Sequence, residues 1–151
     1  MFRVRLSKPE EEARLQELEK ILNLETPGLR SSETWVLDDG GKLIGMARIT
    51  DLGPGYFLSS VGIIQQSRGQ GLGRKLVLRL LEAKKKPVYL YTIIPGFFQR
   101  LGFEACSPPP FLPPKSLFSC EHCQPERCLS LIRRPTRGKG REARTGEGRS
   151  S

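Results

Sequence analysis

The chain has 151 residues, 37% of them hydrophobic and 27% charged, and a formal net charge of +9. That length and apolar content suit one globular domain with a buried core. No apolar run reaches the roughly 18 to 20 residues that cross a bilayer, and the N-terminus lacks the apolar stretch of a signal peptide, so a cytoplasmic protein without membrane contact is expected. Of the net charge, +5 falls on residues 133–151, which hold seven Lys or Arg against Glu142 and Glu147. The expected organisation is a domain over 1–133 and a disordered basic tail over 134–151.

Taken in order, Phe2 to Leu6 alternates apolar and basic residues as a strand does, and Ser7 with Glu10 has capping-box spacing. A helix is expected from about Pro9 to Asn23, with Ala13, Leu15, Leu18, Ile21 and Leu22 as its apolar stripe. Thr26-Pro27-Gly28 signals a turn, and a loop or broken helix follows to Ser32. Thr34 to Leu37 and Lys42 to Thr50 are strand-like runs joined by Asp-Asp-Gly-Gly, the composition of a hairpin. Gly53-Pro54-Gly55 turns the chain into a further strand from Tyr56 to Ile64.

Three glycines, at 69, 71 and 73, then open a helix expected over 71–84, where Lys84, Lys85 and Lys86 favour the C-terminal end before Pro87. Val88 to Thr92 reads as a strand parallel to the Tyr56 strand, because a strand, helix, strand unit crosses over that way. Gly96 to Leu101 reads as a short helix closed by Gly102, with a strand from Phe103. Five prolines between Ser107 and Pro114 preclude regular structure there. Leu129 to Ile132 is expected as a last edge strand.

Strand, glycine loop and helix together read as a phosphate cradle: unpaired amides and the positive end of the helix dipole meet an anion that glycines let approach. A P-loop requires Gly-Lys followed by Ser or Thr, and here Gly73 precedes Arg74, Lys75 and Leu76. A dinucleotide fingerprint requires a third glycine where Arg74 stands and an acidic residue near Ile93 to Pro95. Neither pattern is met.

Arg68-x-x-Gly71-x-Gly73 resembles the signature of the GNAT acetyltransferase superfamily. The strand before it, with Val61-Gly62-Ile63 where that family has Val-Ala-Val, and Phe97-Phe98-Gln99-Arg100-Leu101-Gly102-Phe103 extend the resemblance. Tyr91-Thr92, Phe97-Phe98, Leu112-Pro113-Pro114-Lys115 and Cys120-x-x-Cys123 are similar to a branch of short N-acetylglutamate synthase-like and arsinothricin N-acetyltransferase-like enzymes. Where that branch often carries Arg-Ser, this chain has Ser59-Ser60.

The resemblance implies an α/β fold, a mixed, centrally splayed sheet flanked by helices, that transfers acetyl from acetyl-CoA to a primary amine. The amides of Arg68, Gly69, Gln70, Gly71, Leu72, Gly73 and Arg74 would hold the pyrophosphate. The backbone of Val61, Gly62 and Ile63 would hold pantetheine and polarise the thioester, with Thr92 and Phe98 lining the same cleft. Phe98 stands where the family often has a tyrosine acid, and no Glu lies on the Tyr56 strand. Asp51, Tyr56 and Tyr91 are the remaining candidates for proton transfer. The acceptor is expected to be a small amine or amino acid. Rival readings are a CoA-binding regulatory module without turnover and an acetyltransferase of protein N-termini or lysines.

Cys106, Cys120, Cys123 and Cys128 form an incomplete zinc pattern, with reduced, partly buried thiols as the simpler reading. His122, the one histidine, lies beyond the prolines and outside the motifs. The tail lacks the aromatic residues that stack on bases, which disfavours nucleic-acid binding. The Trp35 hairpin and the proline segment are surfaces on which a homodimer could form.

Overall fold

Apolar, β-branched runs between residues 33 and 63 produce three consecutive antiparallel strands, and the rest of the sheet grows from them. In the computed structural model, which describes residues 2–22, 33–82, 84–113 and 128–135, seven strands lie in the order β1-β2-β3-β4-β5-β7-β6. They are β1 Phe2–Leu6, β2 Glu33–Asp39, β3 Lys42–Asp51, β4 Tyr56–Ile63, β5 Val88–Thr92, β6 Glu104–Ala105 and β7 Leu129–Arg133. The helices are α1 Glu12–Leu22, entered through a 3-10 turn Pro9–Glu11, α2 Leu72–Leu81 and α3 Pro95–Gln99. The mixed, splayed α/β sheet expected from the sequence is the observed fold.

The two long helices cover opposite faces of the sheet. Arg48 of β3 ion-pairs with Glu19 of α1, whereas its cross-strand partner Thr34 is followed by Trp35, whose ring lies under Arg79 of α2. Since successive side chains of a strand point to opposite faces, α1 and α2 sandwich the sheet. Leu15 and Leu18 fill the first layer, and Leu72, Leu76, Val77, Leu80 and Leu81 the second, at the spacing of a helix with one apolar face.

β4 and β5 run parallel but pair only at Tyr56↔Val88 and Phe57↔Tyr89. Beyond that point each turns to its outer neighbour: β4 stays on β3 as far as Gly45↔Ile63, and β5 pairs with β7 along its whole length. The closed end is tight because Gly55 has no side chain; a Cβ there would sit 2.8 Å from the Pro87 carbonyl oxygen and from the Tyr89 ring. The Tyr56 amide donates to that same carbonyl at 2.8 Å.

Three elements differ from the sequence expectation. β7 is inserted between β5 and β6 rather than lying at the edge, because β5 offers it an unshared antiparallel side once β4 has diverged. The capping pair is Lys8 and Glu11 rather than Ser7 and Glu10: the Glu11 carboxylate accepts from the Lys8 amide at 2.8 Å, and the Glu11 amide donates to the Lys8 carbonyl at 2.9 Å. α2 ends at Leu81, so Lys84 and Lys86 lie past the helix, where they reach Glu33 and Asp51. The turn at 26–28 and the tail from residue 136 lie outside the described residues.

Glu11 is buried, 4% exposed, and is clamped by Arg5 at 2.7 Å, which also reaches Asp38 at 3.1 Å. The Arg5 guanidinium lowers the Glu11 carboxyl from the usual 4.5 to about 2. A carboxyl depressed on folding adds stability above its unfolded value and loses it as pH falls toward the folded one. Acid titration monitored by circular dichroism is therefore expected to show stability falling between about pH 4.5 and 2. Glu11→Gln, which leaves Arg5 and Asp38 without their third partner, should cost about 2 to 3 kcal/mol at neutral pH and flatten that acid limb.

Candidate active site

The site begins at the opening between β4 and β5. Met46 faces Gly62 and Arg48 faces Ser59, so β4 carries one residue more than β3 over the same span, which is a β-bulge. At the bulge Ser60 has φ of 53°, the one described non-glycine residue with positive φ. A left-handed L-residue costs roughly 1 to 2 kcal/mol, so the surrounding ladder holds it there. The bulge redirects the backbone of Val61, Gly62 and Ile63 just where β5 has moved away.

The glycine loop follows directly. Gly69 and Gly71 have φ of 83° and 74°, which only glycine adopts without strain, and Gly71 is the N-cap of α2. The helical ladder begins when the Lys75 amide donates to the Gly71 carbonyl at 3.1 Å, and the amides of Leu72, Gly73 and Arg74 precede it. Those amides and the positive end of a ten-residue helix point to an anion. Arg68 Nε donates to the Ile63 carbonyl at 2.9 Å, which ties the loop to the end of β4; a guanidinium has further N–H donors with which to meet a phosphate. Gln70 folds back onto the Ser67 carbonyl at 3.3 Å.

Gly73 has a different reason from its two neighbours. A Cβ there would lie 3.3 Å from Phe97 Cζ and 3.9 Å from Ile63 Cγ1, so this glycine lets the helix start close upon α3 and the end of β4. Phe97, Phe98 and Phe103 then pack edge to face, with ring centroids 4.9 and 5.7 Å apart. Phe98 is buried. Thr92, also buried, ends β5, and its Oγ1 accepts from the Ile94 amide at 2.9 Å.

The three candidates for proton transfer do not come together. Asp51 faces Tyr56 across β3 and β4 at the closed end, where the Lys86 ammonium, with the Gly53 amide, holds its carboxyl below the usual range. The Tyr56 ring lies beneath Lys86 and Lys84, whose Nζ atoms are 4.7 and 5.5 Å from its centroid. Tyr91 stands two residues beyond the last β4 to β5 pair, beside the opening, with its ring 5.3 Å from Phe57. Its hydroxyl donates to the Pro113 carbonyl at 2.6 Å, and burial, with Cys128 and Cys106 nearby, pushes its pKa up.

Cys106 and Cys128 are half-buried and in no disulfide, with burial raising the Cys106 pKa. Cys120 and Cys123 lie outside the described residues, among which no three His, Cys, Asp or Glu side chains gather as a metal site. No described helix is long and apolar enough to cross a membrane. The sequence reading noted Ser59-Ser60 only as a departure from the related branch and did not foresee the bulge at Ser60, which no glycine marks, nor the Pro113 carbonyl that holds Tyr91; both depend on tertiary pairing.

The family model of the acetyltransferase (GNAT) domain matches residues 30–105, half of the chain, and the chain belongs to that family. No curated protein matches it significantly in sequence. N-acetylglutamate synthase from Neisseria gonorrhoeae, solved with coenzyme A and L-arginine, superposes with a TM-score of 0.67 at 16% identity over 90% of this chain. The match spans 34% of the synthase, about a third of its length. A GNAT-family acetyltransferase from Staphylococcus aureus gives 0.66 at 13% identity, covering 90% of this chain and 100% of the other. An acyl-CoA N-acyltransferase from Pseudomonas aeruginosa gives 0.62 at 19%, covering 88% and 98%. At these identities the structural likeness defines the fold.

Replacing Ser60 by Val puts a β-branched residue into the left-handed region. Ser60→Val is expected to lower stability by about 2 kcal/mol in urea denaturation, and Ser60→Gly by less than about 1 kcal/mol.

Proposed function

We propose that the chain is an N-acetyltransferase that moves the acetyl group of acetyl-CoA onto a primary amine, with a small polar amine or amino acid as acceptor. The observation that carries this reading is the coincidence, at one opening in the sheet, of a bulged β4 backbone and the amide-rich start of α2. The amides from Arg68 to Arg74 bind the pyrophosphate of the cofactor. Its pantetheine arm enters between β4 and β5, against the backbone of Val61 to Ile63, with Thr92 and Phe98 on the opposite wall.

In the reaction the amine lone pair attacks the thioester carbonyl carbon, and backbone amides of the bulge stabilise the oxyanion that forms. The C–S bond then breaks, CoA leaves as a thiolate and takes up a proton, and the nitrogen loses one, giving an amide and free CoA. Phe98 has no proton to give, and a thiolate leaves without a strong acid. Of the candidates for proton transfer, Tyr91 is the one beside the opening, while Asp51 and Tyr56 serve the closed end. Its raised pKa and its bond to Pro113 suit it to orienting the amine more than to donating a proton.

Isothermal titration with acetyl-CoA is expected to show saturable binding, weakened about tenfold or more by Gly71→Glu, which sets a carboxylate and a strained backbone against the phosphates. Release of CoA should then depend on added amine. Absence of binding, or binding indifferent to Gly71→Glu, rejects the cofactor site; binding without CoA release from any amine rejects catalysis and leaves a regulatory binder.

A further inference from the structure

A row of polar side chains crosses the α1 side of the sheet at one level. Thr34 pairs with Arg48, Arg48 with Ser59, and Tyr91 with Ser130. Ser59 and Tyr91 share that level because Phe57 pairs with Tyr89 two residues earlier on each strand. The outer part of the row is internally satisfied: Arg48 donates to Thr34 Oγ1 at 2.9 Å and, through two nitrogens, to the Glu19 carboxylate at 3.0 and 3.2 Å. With its charge matched by Glu19, Arg48 presents no net charge to its neighbours on β4.

The inner part is not satisfied. The hydroxyls of Ser59 and Ser130 are both shut away from solvent with no hydrogen-bond partner among the described residues, and Ser130 is 6% exposed. A buried hydroxyl left unpaired is destabilising, and such groups are rare in folded proteins. Ser59 stands beside Tyr91 at the opening where β4 and β5 diverge, and Ser130 stands on the other side of Tyr91, on β7. α1 walls the row on one side by way of Glu19. On the other, the segment after β6 crosses β5, with the Phe111 ring 5.4 Å from Tyr89 and the Pro113 carbonyl on the Tyr91 hydroxyl. The strip between those walls is β4 at Ser59, the residue before the bulge.

We propose that this strip recognises the acyl acceptor, and that Ser59 selects a primary amine with an uncharged hydroxyl or amide carbonyl close to its amino group. The inference rests on the acetyltransferase reading above and names its substrate class. A serine hydroxyl both donates and accepts, so it pairs with hydroxyl or amide groups on the acceptor, while matched Arg48 and Glu19 give a free carboxylate no cation to meet.

Steady-state kinetics of the full chain test this at saturating acetyl-CoA, with amino alcohols and amino-acid amides set against alkylamines and free amino acids of matched size. Amino alcohols or amides should be the better substrates, and Ser59→Ala should raise their KM about fivefold or more while leaving the KM of acetyl-CoA and of alkylamines unchanged. Ser59→Thr, which keeps the hydroxyl, should restore much of the loss. Ser59→Gly, which also removes the hydroxyl, provides the same comparison if Ser59→Ala does not fold. A preference for alkylamines or free carboxylates, or an equal rise in KM for every amine, overturns the inference while the acetyltransferase reading stands. Acetyl-CoA binding without turnover of any amine overturns both.

Discussion

The structure depends on where two parallel strands stop holding each other. β4 and β5 share hydrogen bonds at Tyr56 and Phe57 and then part. Parting is tolerable because each strand keeps a full antiparallel partner on its outer side, β3 for one and β7 for the other. The inner backbone groups alone remain to be satisfied, and an extended ligand can satisfy them as a strand would. The closed end must resist the same divergence. Gly55 permits the close approach, and the lysines over Tyr56 pin the chain on either side of it.

The two motifs that look independent along the sequence are one packing unit in space. Gly73 of the loop and Phe97 of the short helix touch, with Ile63 at the end of β4 as the third member. A glycine at position 73 therefore answers to a phenyl ring, whereas those at 69 and 71 answer to backbone conformation. Movement of α3 would be felt at the start of α2, and hence at the amides that face the phosphates.

Local chemistry made much of this legible. Strand-like apolar runs located β2, β3 and β4, Asp-Asp-Gly-Gly marked the hairpin, and the apolar spacing of Leu72 to Leu81 marked α2. What escaped was set by partners remote in the chain. The cap at Lys8 and Glu11 prevails over Ser7 and Glu10 because Arg5 and Asp38 complete the Glu11 network. Lys84 and Lys86 leave the helix end for carboxylates on β2 and β3. The bulge at Ser60 has no sequence mark, since its left-handed residue is enforced by the register between two strands rather than by its own preference.

The insertion of β7 has a consequence for how the chain is made. β5 emerges about 40 residues ahead of β7, yet β7 supplies its longest ladder and also anchors β6. During synthesis, β2, β3 and β4 can pair as soon as each hairpin appears, because their contacts are local, and β1 is already made when β2 emerges to pair with it. β5 must wait, with one side held by two residue pairs and the other bare, until residues 129–133 leave the ribosome. An unpaired strand edge is the feature that invites association with other chains. The interval between those two events is the stage of biosynthesis at which this fold is most exposed to aggregation, and a chain that stops short of residue 129 carries that edge permanently.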